Sequence, residues 1–306
     1  MAIPKIAIRN FTVFENIEID FCEGINVFIG ENGTGKTHLL KLLYAHCVHG
    51  TESTFAIPFL SNLDEVFGKE NIRNISIMPL PIDYKNCITR PSVFIPAKEV
   101  LSMSDLVRIY DKYSNDLHLD KTLINIIKKA LEIKPNKVPV LAEKLIANIE
   151  RTIGGKVVVK SRDSSFWIVK QNEAEVPFNM EAEGYRKLGL LWQLIMNESI
   201  TQDTVLLWDE PEANINPKLI PMIVNILLEL SRQGVQVFLA THDYMFAKYF
   251  EVKQEETDKI RFHSLYKTDK GIACESNCNF RDLKNNPIID AFDELMDEVL
   301  GKNLGD

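Results

Sequence analysis

Eight consecutive residues, Gly30-Glu31-Asn32-Gly33-Thr34-Gly35-Lys36-Thr37, have the types and order needed to hold a chain of phosphates. Such a chain needs several backbone N–H groups aimed at one place. Glycines at 30, 33 and 35 let the backbone take those conformations and approach the anion with no Cβ in the way. Lys36 supplies a point charge for β- and γ-phosphates, and Thr37 offers a hydroxyl to Mg2+; His38, the next residue, is grouped with these nucleotide-contacting positions. Far along the chain, Asp209 and Glu210 end the apolar run Thr204-Val205-Leu206-Leu207-Trp208. An aspartate at a buried strand end can hold Mg2+ opposite Thr37, and the glutamate beside it can polarise the water that attacks a γ-phosphate. His242 follows the next apolar run, Val235 to Thr241, where strand ends converge on a ligand and an imidazole can hydrogen-bond the γ-phosphate.

These residues meet only if secondary structure brings them together. The glycine loop lies between the apolar run Ile25 to Ile29 and the leucines 39, 40, 42 and 43, which predicts a strand before it and a helix after it. That helix aims its N-terminal dipole at the phosphates. Lys5 to Arg9 and Ile17 to Phe21 predict a small antiparallel pair, with Phe11 and Phe14 between them and expected in the core rather than stacked on a base. Ser92 to Ala97 predicts a buried strand closed by Pro96, whereas residues 50 to 92, broken by four prolines, predict irregular loop and short strands. Helical spacing of apolar residues from Leu106 to Ile149 predicts a helical insertion at about 100–152. Gly154-Gly155 then introduces Lys156 to Lys160 and Phe166 to Lys170, a β-hairpin at about 154–178. Asn286-Pro287 starts a last helix whose apolar residues are expected to pack on the core.

With 306 residues, 45% of them hydrophobic, the chain can build one large α/β domain, with no room for a second catalytic domain of ordinary size. A formal charge of -8 argues against a surface that tracks nucleic acid throughout, although a local basic patch would survive that average. Lys128, Lys129, Lys134 and Lys137 form one such cluster, and a solvated helix face is its plainer reading. Five scattered cysteines read as reduced thiols, and Cys274 and Cys278 have no second Cys or His pair to complete a zinc site. No run approaches the roughly 18 apolar residues of a membrane span, so the chain is expected to be cytoplasmic, away from membranes.

Together, the glycine loop, Asp209-Glu210-Pro211-Glu212 and Thr241-His242-Asp243 resemble the ABC class of ATPases. The likeness is greatest to its compact stand-alone prokaryotic members related to SMC, RecF and OLD proteins, the AAA-type ATPases of antiviral defence systems. It covers residues 3 to 49 and 180 to 245 well, and 92 to 99 weakly. The resemblance implies an α/β fold: an ABC-type P-loop NTPase core with an N-terminal antiparallel β-subdomain and a helical insertion, in a single ATPase domain spanning 1–306. It implies ATP and Mg2+ as ligands, with Glu210 and His242 catalytic in hydrolysis at the β–γ bond. It implies a homodimer stacked head to tail, with ATP between the P-loop of one copy and the signature loop of the other. We assign the signature to Glu181 through Tyr185, with Gly184 contacting the nucleotide.

The chain departs from the family pattern in three places. Ala182 stands where the usual signature has serine, so a hydroxyl is lost while the Gly184 N–H and the helix dipole remain. Asn216 stands where relatives often carry histidine. Glu99, not glutamine, follows the Ser92 strand where ABC proteins place the Q-loop. The resemblance further implies a separately encoded effector, a nuclease or toxin, in a DNA-related or antiviral role. A transporter ATPase subunit and an SMC-like DNA clamp stay as alternatives, and nucleic acid stays open as a ligand.

Overall fold

In the computed structural model, residues 2–47, 63, 66–67, 90–113, 120–132, 138–139, 141–160 and 162–304 are described. The expectation for 50–92 falls mostly outside them, as do Lys134 and Lys137. Lys5–Phe11 (β1) and Phe14–Asp20 (β2) pair antiparallel, and Ile6, Ile8, Phe11, Phe14, Ile17 and Ile19 are all buried. Phe11 and Phe14 are the pair that closes that ladder at its turn, and both are buried, so neither is available to a base.

Ile25–Gly30 (β3) leads through the glycine loop into Lys36–Cys47 (α1), and Ser92–Ile95 (β4) follows. Three helices come next: Asp105–Tyr113 (α2), Lys121–Ala130 (α3) and Ala142–Ile153 (α4). A three-stranded sheet follows them, made of Gly155–Lys160 (β5), Ser165–Lys170 (β6) and Glu175–Pro177 (β7). The third strand adds to the hairpin expected from the sequence. The rest comprises Glu183–Met196 (α5), Val205–Asp209 (β8), Ile220–Arg232 (α6), Gln236–Ala240 (β9), Tyr244–Lys253 (α7), Ile260–Thr268 (β10), Gly271–Asn277 (β11) and Pro287–Leu304 (α8).

The main sheet has the order β11-β10-β3-β9-β8-β4, parallel except for β11. Strands β3, β8 and β9 are buried at every residue, as expected where helices cover both faces of a parallel sheet. Side chains alternate between those faces. Phe28, Leu207 and Phe238 join α1 and the β1–β2 pair, whereas Val27, Ile29, Leu206, Trp208 and Leu239 join the core beneath α5, α6 and α7. Each such side chain contributes roughly 1.5–3 kcal/mol by leaving water. The order also separates β3 from β8 by one strand, so the two strand ends flank that of β9 and open on one edge.

Helix α5 joins the sheet to the helical insertion. Gln193 Nε2 donates to the Ala130 carbonyl at 2.7 Å and Asn197 Nδ2 to the Lys129 carbonyl at 2.7 Å, which satisfies the end of α3. Trp192 Nε1 donates to Glu150 of α4 at 3.1 Å. Lys128 pairs with Asp111 at 2.7 Å and lies over the Tyr110 ring, on a face of mixed charge. His263 is buried between Ser276 and Asn26, and burial pushes its pKa down to about 3, so it is a neutral structural group.

Helix α8 departs from expectation. Its first two turns are anchored by Ile288 and by Phe292, which stacks on Tyr244 at 4.2 Å. Beyond that, Leu295, Met296, Val299 and Leu300 are exposed, because the helix runs out past the element it starts on.

Candidate functional site

The loop between β3 and α1 is held open by steric necessity. Gly35 has φ +91°, and a Cβ there would stand 2.6 Å from both Phe14 Cζ and Val13 Cγ2; at Gly30, φ +146°, it would stand 2.2 Å from the Leu265 carbonyl oxygen. The β1–β2 turn and β10 therefore form the outer walls of the loop. Inside it, Lys36 Nζ donates to the carbonyls of Gly30 at 2.8 Å and Glu31 at 2.9 Å. Burial pushes that ammonium down to about 8, opposed by Asp209, Glu210 and Glu31. Thr34 caps the turn through its hydroxyl to the Glu31 carbonyl, while Glu31, Asn32 and Gly33 are exposed.

Folding brings Thr37 and Asp209 together: the Thr37 hydroxyl donates to Asp209 Oδ2 at 2.8 Å. Burial raises the Asp209 pKa, and the Thr37 bond opposes that shift. Glu210 lies 3.9 Å from His242 Nε2. Burial and the nearby Lys36 charge lower the His242 pKa, with Glu210 opposing, which leaves a neutral ring near pH 7. A cavity of about 420 Å³ opens on the outer side of the loop, walled by Gly30, Glu31, Asn32 and His242 and by Phe292 of α8. A cationic amine, a hydroxyl–carboxylate pair and a neutral imidazole around a glycine loop can bind a triphosphate and hydrolyse it.

The backbone at Glu210 is unusual. Its φ is 45°, and it precedes Pro211, which itself disfavours helical conformations in the residue before it. Strain of this kind costs about 1–3 kcal/mol and persists only where the surroundings fix it. Here the Glu210 N–H donates to the Ala240 carbonyl at 2.9 Å, and its carbonyl accepts from the Ala213 N–H at 3.1 Å and from Lys187 Nζ at 3.2 Å.

Two of the sequence-predicted residues lie apart from this cluster. The His38 ring turns to the Phe67 ring, 5.9 Å between centroids, and burial lowers its pKa. Gly184, in the first turn of α5, is buried and packs on Ile215. Ala182 is the N-cap of α5 and offers no side-chain hydrogen bond, and the Asn216 side chain caps the turn at Lys218. Glu99 does not act as a Q-loop group in this arrangement. Its carboxylate accepts from the N–H groups of Leu101 and Ser102 and pairs with Arg186 at 3.4 Å, so it braces a turn instead of facing phosphate.

Glu212 has a structural part that its place in the sequence did not reveal. Its Oε1 accepts from the Thr241 hydroxyl at 2.6 Å and the His242 N–H at 3.3 Å, while Oε2 is buried with no hydrogen-bond partner. Burial raises its pKa to about 7. Lys187 was the other overlooked group; a lysine one turn into a helix that continues Leu188, Leu190, Leu191 was the signal.

The donor set fits Mg2+ with a nucleotide. Thr37 and Asp209 supply two oxygen ligands, as few as this ion usually takes from protein when phosphates provide others. Among the described residues no cluster of three or more His, Cys, Asp or Glu forms a self-contained metal site.

A parallel sheet with a glycine loop after one strand and an acid pair two strands away defines a P-loop ATPase. The fold is that of SMC heads. One solved SMC head, bound to the C-terminal winged-helix domain of ScpA, matches 92% of this chain and 100% of its own, with TM-score 0.57 and 10% identity. An SMC head with an extended coiled coil, bound to the ScpA C-terminal domain derived from Pyrococcus furiosus, matches 97% of this chain and 99% of its own, with TM-score 0.50 and 10% identity. The chain belongs to the family described as "AAA domain, putative AbiEii toxin, Type IV TA system", which matches residues 69–246; an AAA ATPase domain matches residues 1–90. The DNA replication and repair protein RecF of Cytophaga hutchinsonii is 43% identical over 65 residues, 21% of this chain and 15% of that protein. RecF of Listeria welshimeri is 49% identical over 41 residues, 13% of this chain and 11% of that protein. The match thus spans a small part of these relatives' length.

Proposed function

We propose that this ATPase closes into a head-to-tail homodimer on binding ATP with Mg2+, hydrolyses it, and uses closure and reopening to act on a separate effector protein. Each P-loop would face the signature loop of the second copy. The observation that carries this reading is at Gly184. Its φ is not in the left-handed region, and a Cβ there would meet Ile215 at 3.6 Å, an ordinary contact, so its own subunit has room for a larger residue. Gly184 itself is buried, while Ala182, the exposed N-cap beside it, leaves the free end of α5 and its N–H groups open to an anion from outside.

In each site Lys36 and the loop N–H groups would bind and orient the phosphates. Mg2+, held by Thr37 and Asp209, would neutralise the charge that develops on the phosphate oxygens. Glu210 would orient and polarise the attacking water, and neutral His242 would donate a hydrogen bond to the γ-phosphate. Because α5 carries Gly184 at one end and holds α3 and α4 along its length, closure on Gly184 would move the helical insertion. The family's description within a toxin–antitoxin system supports a partner-directed role, in antiviral defence or a DNA transaction, in the cytoplasm. The RecF matches favour a second reading in which DNA is the ligand, marked by binding that weakens steeply with salt.

Glu210→Gln tests the main reading. It should slow hydrolysis by about 100-fold or more and trap an ATP-dependent dimer by sizing, since water activation is lost while the nucleotide contacts stay. Unslowed turnover together with a monomer in ATP would sink the mechanism.

A further inference from the structure

The Lys187 ammonium is buried in α5, one turn from Gly184, with the residue only 2% exposed. It is spent on backbone: it donates to the Ala213 carbonyl at 2.7 Å and the Glu210 carbonyl at 3.2 Å. Burying a lysine is costly unless the charge is compensated, and burial lowers its pKa here, with Glu212, Glu183 and Glu210 opposing. Its two acceptors span the strained turn that aims the Glu210 carboxylate. The same turn is tied to α5 again, through Asn214 Nδ2 donating to Glu183 at 3.0 Å. It is tied to the loop after β9 through Glu212, which accepts from Thr241 and His242.

We propose that Lys187 is a positioning residue that couples the two ATP sites of a dimer: it fastens the helix end bearing Gly184 to the turn that sets Glu210 of the same subunit. This rests on the head-to-tail reading, in which Gly184 meets the nucleotide of the partner site. Engagement of Gly184 by one ATP then seats α5, and α5 through Lys187 seats the Glu210 that serves the other ATP. Hydrolysis should therefore depend cooperatively on ATP concentration.

Lys187→Met removes the ammonium and keeps an unbranched apolar stem. A misplaced catalytic group costs on the order of 100-fold even when the mutation lies away from the chemistry, so kcat should fall by about that factor. KM for ATP should change little, the Hill coefficient should fall towards one, and Lys187→Arg should restore part of the rate. ATP-driven dimerisation should survive in the Lys187→Met/Glu210→Gln double variant. If Lys187→Met does not fold, as read by thermal melting, Lys187→Gln, with an uncharged and shorter amide, replaces it.

Mixed dimers separate positioning from general damage. With Lys187→Met and Glu210→Gln in the same subunit, the intact subunit retains a working Lys187–Glu210 pair and about half the wild-type rate is expected, since one of two sites stays whole. With the substitutions in opposite subunits, neither pair is whole and the rate should fall about 100-fold. Equal rates in the two arrangements, or a wild-type kcat for Lys187→Met in a protein that still dimerises, would overturn the coupling and leave the dimer standing. Absence of any ATP-dependent dimer in Glu210→Gln alone would overturn the head-to-tail reading, and the coupling with it.

Discussion

Replacing Gly184 by alanine should push stability and activity in opposite directions. Within the subunit the new Cβ meets Ile215 Cγ1 at 3.6 Å and its Cα at 3.7 Å, so nothing must move. Alanine is favoured over glycine by about 1 kcal/mol inside a helix and by less in a first turn, which leaves a gain of about 0.5 kcal/mol. For a chain of this size that is a rise of about 1 °C in melting temperature. In the proposed dimer the Cβ, turned towards Ile215, would still take up space at the helix end where the facing γ-phosphate would reach the Gly184 N–H. Losing one hydrogen bond to a charged group costs about 1.5–3 kcal/mol, or roughly 10- to 150-fold. The assays are thermal melting of the nucleotide-free protein, the ATP-dependent dimerisation constant in the Glu210→Gln background, and steady-state ATP hydrolysis. Unchanged dimerisation and turnover would refute a trans contact at Gly184. A loss of nucleotide-free stability above about 1 kcal/mol would refute the claim that the subunit has room there.

Two further outcomes are expected. Ala182→Ser supplies the N-cap oxygen that α5 lacks and should raise stability by about 1 kcal/mol; in the proposed dimer the hydroxyl would also face the γ-phosphate of the second site, so hydrolysis should rise, and a variant that gains stability with unaltered turnover would assign Ala182 to folding alone. The Glu212 pKa is raised from 4.5 to about 7 on folding, so between those values the folded chain holds the proton that the unfolded chain has lost. Stability from this residue is therefore present below pH 4.5 and lost as pH rises through 7, by about 3 kcal/mol in all. Denaturation of the wild type and Glu212→Gln at pH 5 and pH 8 should show a gap that shifts in the variant's favour at the higher pH; a constant gap would discount the buried carboxyl.

The sequence alone determined the phosphate loop, because its chemistry is local. Gly30 to Thr37 are contiguous, and the strand before and helix after them carry strong apolar patterns. The acid pair was legible for the same reason, at the end of a fully apolar run. Strands β10 and β11 were not: Ile260 to Thr268 mixes Arg261, His263 and Ser264 into its stretch, and these find partners only in the fold, His263 on Asn26 of β3 and Ser276 of β11, Arg261 on the Asp20 carbonyl and Ser264 on the Asn285 carbonyl. Helix α8 reads as amphipathic, and periodicity cannot say whether a partner element is present to receive its apolar side. The fate of Glu99 was likewise undecidable, since a carboxylate serves a turn or a ligand equally well until Arg186 and the Leu101 N–H are in place. Tertiary structure alone decided the distances that matter, Thr37 to Asp209 and Lys187 to the strained turn at Glu210. These join residues remote in the chain, and only the strand order, with β9 between β3 and β8, fixes how their ends meet.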